Sequence, residues 1–557
     1  MPGQVSRGIE YIRQHGLSYT LRRCGEKAAD RLLHPYDRWW RRHAPTEAEL
    51  AAQRSDQPEG AGLISVVIPV YNTRPDLLLA LAESLKAQTL DRWEAILYDG
   101  RSTRPETAEA LDRAAALDPR IRVIRGTENL GISGNTNRAI EAAAGTWIAL
   151  CDHDDLLSPE ALWQAARTIA AEDPDLIYSD EDKITEDGRW HTDPHMKPDF
   201  CPENLRAGNY ICHLMVIRRS LLEAAGGLRP CCDGSQDHDL ALRCTERGGK
   251  VCHIPKVLYH WRTVGASMSH QQRERCLQAG MLAVRGQCER MGLAAEVTEA
   301  HGLIHTAWAL QGKPSVAAAV IDSGMPGDVE RCLKKLRRLG VAETFVITPV
   351  QDPEAEERII RWDPAESVWA AVNRAVDAMT GDYALVLHSG VQPQETDWLT
   401  AMLRYAQLPG VGAVTPLLTD RRGRILHAGF AGGRCVLAGT PAKAGGWHGW
   451  LWMTRNVSAV SGACFLIRRD RILPLDPRFR SGLGTLDWCR RLREAGLRQI
   501  CTPDARGICT DAIVREWLLL LGKKREEADC RLLRPEDHDP CYSPVMDPVR
   551  ADCSLAD

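Results

Sequence analysis

The stretch Trp147-Ile148-Ala149-Leu150-Cys151-Asp152-His153-Asp154-Asp155 decides how this chain is read. Its first four residues are apolar and form a short buried strand. Three carboxylates then fall within four residues, Asp152 to Asp155. Such a cluster is costly to bury unless something neutralises it. A hard divalent cation does so through oxygen ligands and substrate phosphates. The run therefore points to a metal–diphosphate site at the carboxyl end of a strand, where open α/β sheets bind ligands. Taken alone it is equally compatible with a solvated loop leading into the next helix, because Ser158-Pro159-Glu160 is a good helix start.

The flanking sequence supports the first reading. Strands are expected at Leu63 to Val70, Trp93 to Tyr98, Ile121 to Arg125 and Trp147 to Leu150. Helices are expected around Leu77 to Ala87, Pro105 to Ala116 and Ser133 to Ala143. This β-α-β-α-β-α-β alternation predicts a mostly parallel, doubly wound, Rossmann-like α/β sheet. Tyr71-Asn72, Asp99-Gly100 and Asp152 to Asp155 would all gather along its carboxyl edge.

At 557 residues the chain exceeds one ordinary domain. Composition is that of a globular protein, with 44% hydrophobic and 26% charged residues. The net charge of −4 gives no reason to expect nucleic acid as a partner. No apolar run approaches the roughly 20 residues that span a bilayer, and the N-terminus has no apolar core like that of a signal peptide. The 19 cysteines are scattered, without zinc-ribbon spacing, and read as reduced thiols of a cytoplasmic protein. Residues 1–60 form an N-terminal helical extension and linker. Through Arg42 the extension carries nine Lys or Arg against four Asp or Glu, with Tyr36, Trp39 and Trp40 among them. A helix packed on the main domain is the favoured reading. A peripheral contact with the inner face of the cell membrane is the other.

An internal repeat extends the picture. Asn137-x-Ala139, Gly145 and Asp152 recur at the same spacing as Asn373-x-Ala375, Gly381 and His388. Asp237 to Arg243, then Gly248 and Pro255, recur as Thr485 to Arg491, then Gly496 and Pro503. Two copies of one fold are expected, roughly 63–295 and 314–510, in domains spanning 61–300 and 301–557. The second copy has His388-Ser389-Gly390 in place of the acidic cluster and Thr485 in place of Asp237. Asp322-Ser323 stand for Tyr71-Asn72. It is expected to keep the fold without metal-dependent catalysis.

These motifs resemble the family 2 glycosyltransferases, whose nucleotide-sugar-binding fold is called GT-A. SVVIPVYNT (65–73) is similar to the family's first strand. NLGISGNTNRAIEAAAGTWIALCDHDDLLSPEAL (129–162) is similar to its central segment with the Asp-x-Asp element. IYSDEDKI, KPDFCPENL, NYICHLMVIRR, DGSQDHDLALR, IPKVLYHWR and the tail HDPCYSPVMDP resemble a bacterial polysaccharide-synthesis branch, the rhamnosyltransferase-like proteins. GDYALVLHSGVQPQETDWL, SGACFLIRR and LDWCRRLREAG extend the resemblance into the second copy.

The resemblance implies tandem GT-A domains and an inverting transfer from a nucleoside diphosphate sugar, UDP- or dTDP-linked. The acceptor would be a growing surface polysaccharide or lipid-linked glycan, and the cofactor Mn2+ or Mg2+. Carried over, Asp152 would contact the ribose or the metal, Asp154 would bind the metal, and His260 would be a further metal or phosphate contact. Pro69, Val70 and Tyr71 would shape the base pocket, Asp99 would recognise base or ribose, and Arg262 would pair with phosphate oxygens. Asp237 would be the general base, in preference to Asp239. Tyr98 stands where the family usually has a second acidic residue, which leaves the nucleobase open. Asp180-Glu181-Asp182-Lys183 reads either as a solvated charge run or as pocket lining. The alternative from another class is a non-catalytic carbohydrate-binding or scaffold protein of a glycan-assembly complex. A nucleotidyltransferase fits poorly, because Tyr71-Asn72-Thr73-Arg74-Pro75 is not a glycine-rich phosphate loop.

Overall fold

The computed structural model describes residues 34–264, 270–349, 358–363, 365–431, 433–510, 529–534, 536 and 538–556. The basic segment before residue 34 and the helix signal at Arg515 to Leu521 lie outside the described residues. The chain divides into two compact units. One holds the residues up to Phe200 with Gly208–Gly292. The other holds Cys201–Ala207 with Leu293–Ala556.

In the first unit the apolar runs become strands β1 (Ile64–Val70), β2 (Trp93–Asp99), β3 (Ile121–Arg125) and β4 (Trp147–Leu150). Then come β5 (Leu156–Leu157), β6 (Leu176–Thr185), β7 (His191–His195), β8 (Met215–Arg218) and β9 (Val251–Thr263). They pair in the order β3-β2-β1-β4-β8-β6-β9-β5, with β7 on β6. β1 runs parallel to β2 and β4, and β2 parallel to β3. This half is the doubly wound arrangement that the alternation predicts. The other half is mixed, because β8 runs antiparallel to both β4 and β6. Opposing Leu150 with Met215 brings the residues before β8 to the carboxyl end of β4. Ile64, Val66, Ile68, Leu81, Leu85, Trp93 and Leu162 are among the residues of the buried core.

The second unit begins with a two-stranded ribbon, β10 (Ala295–Ala300) and β11 (Leu303–Trp308). Its main sheet contains β12 (Val316–Ile321), β13 (Glu343–Thr348), β14 (Arg358–Arg361), β15 (Tyr383–His388), β16 (Val391–Pro393) and β17 (Val411–Thr419). Short β18 (Ile425–His427), β19 (Phe430–Ala431), β20 (Arg434–Cys435) and β21 (Arg455–Val457) precede β22 (Cys464–Arg468) and β23 (Arg498–Cys509). The order β14-β13-β12-β15-β22-β17-β23-β16 repeats the first sheet strand for strand.

The recurring residues do the same job in both units. Asn137 donates to the Leu228 carbonyl and accepts from the Leu228 amide. Asn373 does both with Leu475. Glu94 accepts from Arg122 and the Ala144 amide, and Glu343 from Arg358 and the Thr380 amide. A Cβ on Gly145 would sit 2.6 Å from the Leu63 carbonyl oxygen, and one on Gly381 would sit 2.8 Å from the Ala317 nitrogen. Both positions therefore need the close approach only glycine allows. Register refines one correspondence. Ile64 opposes Trp147 and Val316 opposes Tyr383, so Asp322 takes the place of Val70 and Ser323 that of Tyr71. The sequence comparison is one residue out at this strand end.

The helix Pro35–His43 packs on the first unit. Tyr36 and Trp39 are buried, and the Tyr36 hydroxyl donates to Asp182 at 2.9 Å. His34 stacks on Trp190, and Asp37 accepts from the His191 amide. Within this helix the aromatic residues thus pack against protein. No helix among the described residues is long and apolar enough to cross a membrane.

Candidate active site

The site lies at the carboxyl edge of the first sheet. Pro69 and Val70 are buried at the end of β1, opposite Tyr98 and Asp99 of β2. Tyr71, just past the strand, is 42% exposed and offers a ring face at the edge. Asp99 is buried, accepts from the Ser102 amide at 2.8 Å and lies 3.5 Å from the Arg125 guanidinium. Asn72 braces the neighbouring loop by accepting from the amides of Thr103 and Arg104.

The turn after β4 distributes its three carboxylates unequally. Asp155 is buried, accepting from the Tyr259 hydroxyl and the Arg262 amide, both at 2.7 Å. It is committed to the internal frame of the turn. Asp152 and Asp154 are each about one-third exposed in their side chains. Burial, then the charge of Asp152, pushes the Asp154 carboxyl above its usual range. Burial likewise raises Asp155, with Asp152 and Asp154 adding to it. The carboxylates of this turn are only partly compensated, and a bound cation would relieve the remaining repulsion. Carboxylate oxygens also suit a hard cation, so the residues present fit Mn2+ or Mg2+.

Arg262 secures the turn. Its guanidinium donates to the Asp154 carbonyl at 3.0 Å and to the Glu186 carbonyl at 2.9 Å. His260 joins a different group from the one its motif implies. Its Nδ1 lies 2.6 Å from Asp182, whose other oxygen meets His191 Nδ1 at 2.8 Å. Trp40 packs against both imidazoles. Asp182 belongs to β6 and is buried, as are Asp180 and Glu181. The acidic run 180–182 is therefore a strand inside the sheet, not a solvated loop. Each of its charges is matched internally, Asp180 by His253 and Glu181 by Lys197.

Asp237 lies in the first turn of the helix Gln236–Thr245, where the helix dipole favours an anion. Its Oδ2 accepts from Asn209 at 2.8 Å and from the Cys212 thiol at 3.4 Å, and its Oδ1 accepts from the His238 amide. Asp239 is fully buried and held by Arg229 and Arg243. That is a structural role, and its counterpart Asp487 fills a similar one with Arg490 and Arg491.

His213 is the residue that sequence reasoning misses. It stands two residues before Met215, opposite the position of Asp152, and its Nε2 lies 3.7 Å from Asp152. Burial works against charge on the ring, but Asp152, then Asp237 and Glu181, outweigh it and lift His213 to about 9. For Asp152 burial also opposes ionisation, and His213 overrides it and holds the carboxyl below its usual range. The imidazole thus links the turn after β4 to the helix bearing Asp237. Lys197, wholly buried, holds this segment by donating to Glu181 at 3.0 Å and to the carbonyls of Ile211 and His213, both at 2.7 Å.

In the second unit His388 and Thr485 occupy the places of Asp152 and Asp237. Thr485 is buried, and its hydroxyl donates to the Gly482 carbonyl. The fold is retained there while the carboxylates of the first unit's edge are not.

A doubly wound half-sheet with an antiparallel strand at its centre makes each unit a GT-A-type α/β domain, and the first unit alone carries the acidic turn after its fourth strand. Residues 65–226 match the family model Glycosyl transferase family 2. The match to this family thus rests on the first unit, over residues 65–226.

The chain is 33% identical over 89% of its length to the uncharacterized protein y4gI of Sinorhizobium fredii. It is 29% identical over 94% of its length to the O-antigen biosynthesis protein RfbC of Myxococcus xanthus. It spans 58% and 43% of those two relatives' own lengths. Among solved structures, it is similar to S. aureus TarS 1-349 in complex with UDP-GlcNAc, at 18% identity and TM-score 0.33, over 40% of this chain and 66% of that one. It is also similar to the mannosyltransferase PcManGT of Pyrobaculum calidifontis in complex with GDP-Man and Mn2+, at 20% identity and TM-score 0.34, over 47% and 74%.

Proposed function

We propose that the chain is a metal-dependent, inverting glycosyltransferase that moves a sugar from a nucleoside diphosphate sugar to a bacterial surface polysaccharide or lipid-linked glycan. The observation that carries this reading is the convergence of Asp99, Asp152, Asp154 and Asp237 on one sheet edge of a family 2 domain. The resemblance to an O-antigen biosynthesis protein over 94% of the chain supports the polysaccharide branch.

Asp152 and Asp154 would hold Mn2+ or Mg2+, which as a Lewis acid supplies charge stabilisation for the departing diphosphate. Pro69, Val70, Tyr71 and Asp99 would receive the nucleoside, with Tyr71 offering its ring for stacking. Arg262 keeps the acidic turn in place and borders the diphosphate. Asp237 would take the proton from the acceptor hydroxyl. His213 stabilises the anionic form of Asp152, while the helix N-terminus favours the anionic form of Asp237. His260, tied to Asp182 and His191, supports the wall beside the turn.

The second unit, lacking these carboxylates, is assigned an acceptor-binding or assembly role. The proposed setting is the cytoplasmic side of the cell membrane, with UDP- or dTDP-sugars as donors.

The test is release of nucleoside diphosphate from a panel of UDP-, dTDP- and GDP-sugars with membrane glycolipid extracts as acceptor. Metal-dependent turnover with one donor, lost in Asp237→Asn, supports the reading. Nucleotide binding without transfer from any donor would favour a carbohydrate-binding or scaffold role.

A further inference from the structure

Two groups of three among the described residues could hold a metal ion outside the Asp152–Asp154 pair. They are Asp182 with His191 and His260, and Cys212 with His213 and Asp237. Within each group the donor atoms lie within 4.8 Å of one another. The two differ in how their hydrogen-bonding capacity is used. In the first, both oxygens of Asp182 are taken by imidazole nitrogens and the Tyr36 hydroxyl. It is a closed hydrogen-bonded network that also anchors the helix Pro35–His43.

In the second group both oxygens of Asp237 are also taken, but one buried donor atom is left without a partner. His213 is buried to 6% exposure, yet its Nδ1 has no hydrogen-bond partner. A buried ring nitrogen without a partner is rare and asks for an explanation. Cys212 Sγ lies 3.4 Å from Asp237 Oδ2. Zinc bonds of about 2.0–2.3 Å in a tetrahedron set neighbouring ligand atoms about 3.5 Å apart, so these two donors already stand at a tetrahedral edge. Asn209 fixes both, donating to Asp237 Oδ2 and accepting from the Cys212 amide at 3.2 Å. Cys212 and Asp237 are both partly exposed, so an ion in solution has a route to them.

We propose that Cys212, His213 and Asp237 form a binding site for a thiophilic divalent cation, zinc being the representative, distinct from the Asp152–Asp154 pair. A thiolate, an imidazole and one carboxylate make a softer donor set than paired carboxylates and select zinc over magnesium or manganese. Binding replaces the thiol proton and one proton of the His213 imidazolium, releases both to solvent, and leaves a fourth position for water. Because the site uses Asp237, its occupation withdraws the carboxylate assigned as general base. This consequence, zinc inhibition of transfer, rests on the function proposed above, whereas the binding itself does not.

The test titrates the full chain with Co2+ as a spectroscopic substitute for zinc, in the presence of excess Mg2+. The expected result is an intense thiolate-to-cobalt charge-transfer band in the near ultraviolet that saturates at one ion per chain and is displaced by Zn2+. Cys212→Ser removes the band. Asp237→Asn keeps it but weakens the affinity by more than the roughly 10–100-fold that loss of a group behind the ligands costs, because a charged ligand becomes a neutral amide. Cys212→Ala is the second variant should the serine substitution misfold, with circular dichroism as the check on each. No band, or a band unchanged in both Cys212 variants, overturns the site. If the Cys212-dependent band appears but zinc leaves transfer by the wild-type chain unaffected, the site stands and the assignment of Asp237 as general base falls.

Discussion

Replacing Lys197 by methionine tests how the frame of the active site is held. The ammonium is wholly buried and makes three hydrogen bonds, to Glu181, to the Ile211 carbonyl and to the His213 carbonyl. Glu181 is itself buried. Burial opposes its charge, but Lys197, with His195, holds the carboxyl at about 2. Methionine matches the stem and removes the charge, leaving a buried carboxylate without its main partner. Breaking one half of a buried pair costs about 3–5 kcal/mol. For a unit of this size that lowers one thermal transition by roughly 10 °C.

Calorimetry on the full chain reads this shift. The transition of the second unit, which contains neither residue, should not move. The pH dependence supplies the sign. A carboxyl whose pKa is depressed on folding contributes stability that is complete above its unfolded value, near 4.5, and is lost as pH falls towards about 2. Wild-type stability should therefore fall with acid across that window, and Lys197→Met should lose most of that slope. Adding Glu181→Gln to Lys197→Met should recover part of the loss. A cost below about 1 kcal/mol, the range of exposed ion pairs, or an undiminished acid slope would refute the reasoning.

Other outcomes follow from the same geometry. Asp237→Asn should reduce transfer by about 10²–10⁴-fold, the range of general-base catalysis, with nucleotide affinity unchanged by calorimetry. His213→Gln should weaken the hold on Asp152, so that the acid limb of the nucleotide-binding pH profile moves to higher pH; an unmoved limb would deny the link. Asn137→Ala and Asn373→Ala should each destabilise their own unit by about 1–3 kcal/mol, measured by urea unfolding, because each leaves a backbone amide and a carbonyl unpaired. Arg498→Met should destabilise the second unit by about 3–5 kcal/mol, since it leaves the buried Glu203 without its bidentate partner.

The parallel half of each sheet was legible in the sequence because period and punctuation agree there. Apolar runs such as Ile64–Val70 alternate with amphipathic helices, and the polar strand ends fall on one edge. The repeat was legible through residues whose roles are local and geometric: Asn137 and Asn373 bridging one backbone segment, and Gly145 and Gly381 passing a neighbouring strand. The mixed half was not legible. Nothing in Met215–Arg218 announces that it inserts antiparallel between β4 and β6, and this pairing alone brings His213 to Asp152. Hydropathy also misleads at Asp180-Glu181-Asp182. Three carboxylates in a row resemble a solvated loop until His253, Lys197, His191 and His260 arrive from distant segments to match them. Likewise the motif around His260 does not disclose that its ring turns to Asp182. The segment Cys201–Ala207 lies inside the first copy by sequence order yet belongs to the second unit, where Glu203 pairs with Arg498.

The central claim is that the carboxylates at the first unit's sheet edge form a metal-dependent nucleotide-sugar site. The most direct measurement is calorimetric binding of UDP, dTDP and GDP to the full chain with and without Mn2+. The account predicts that one of them binds only when the metal is present, and that Asp154→Ala abolishes this binding while the fold persists. Binding that ignores the metal, survives Asp154→Ala, or fails for every nucleotide would contradict it.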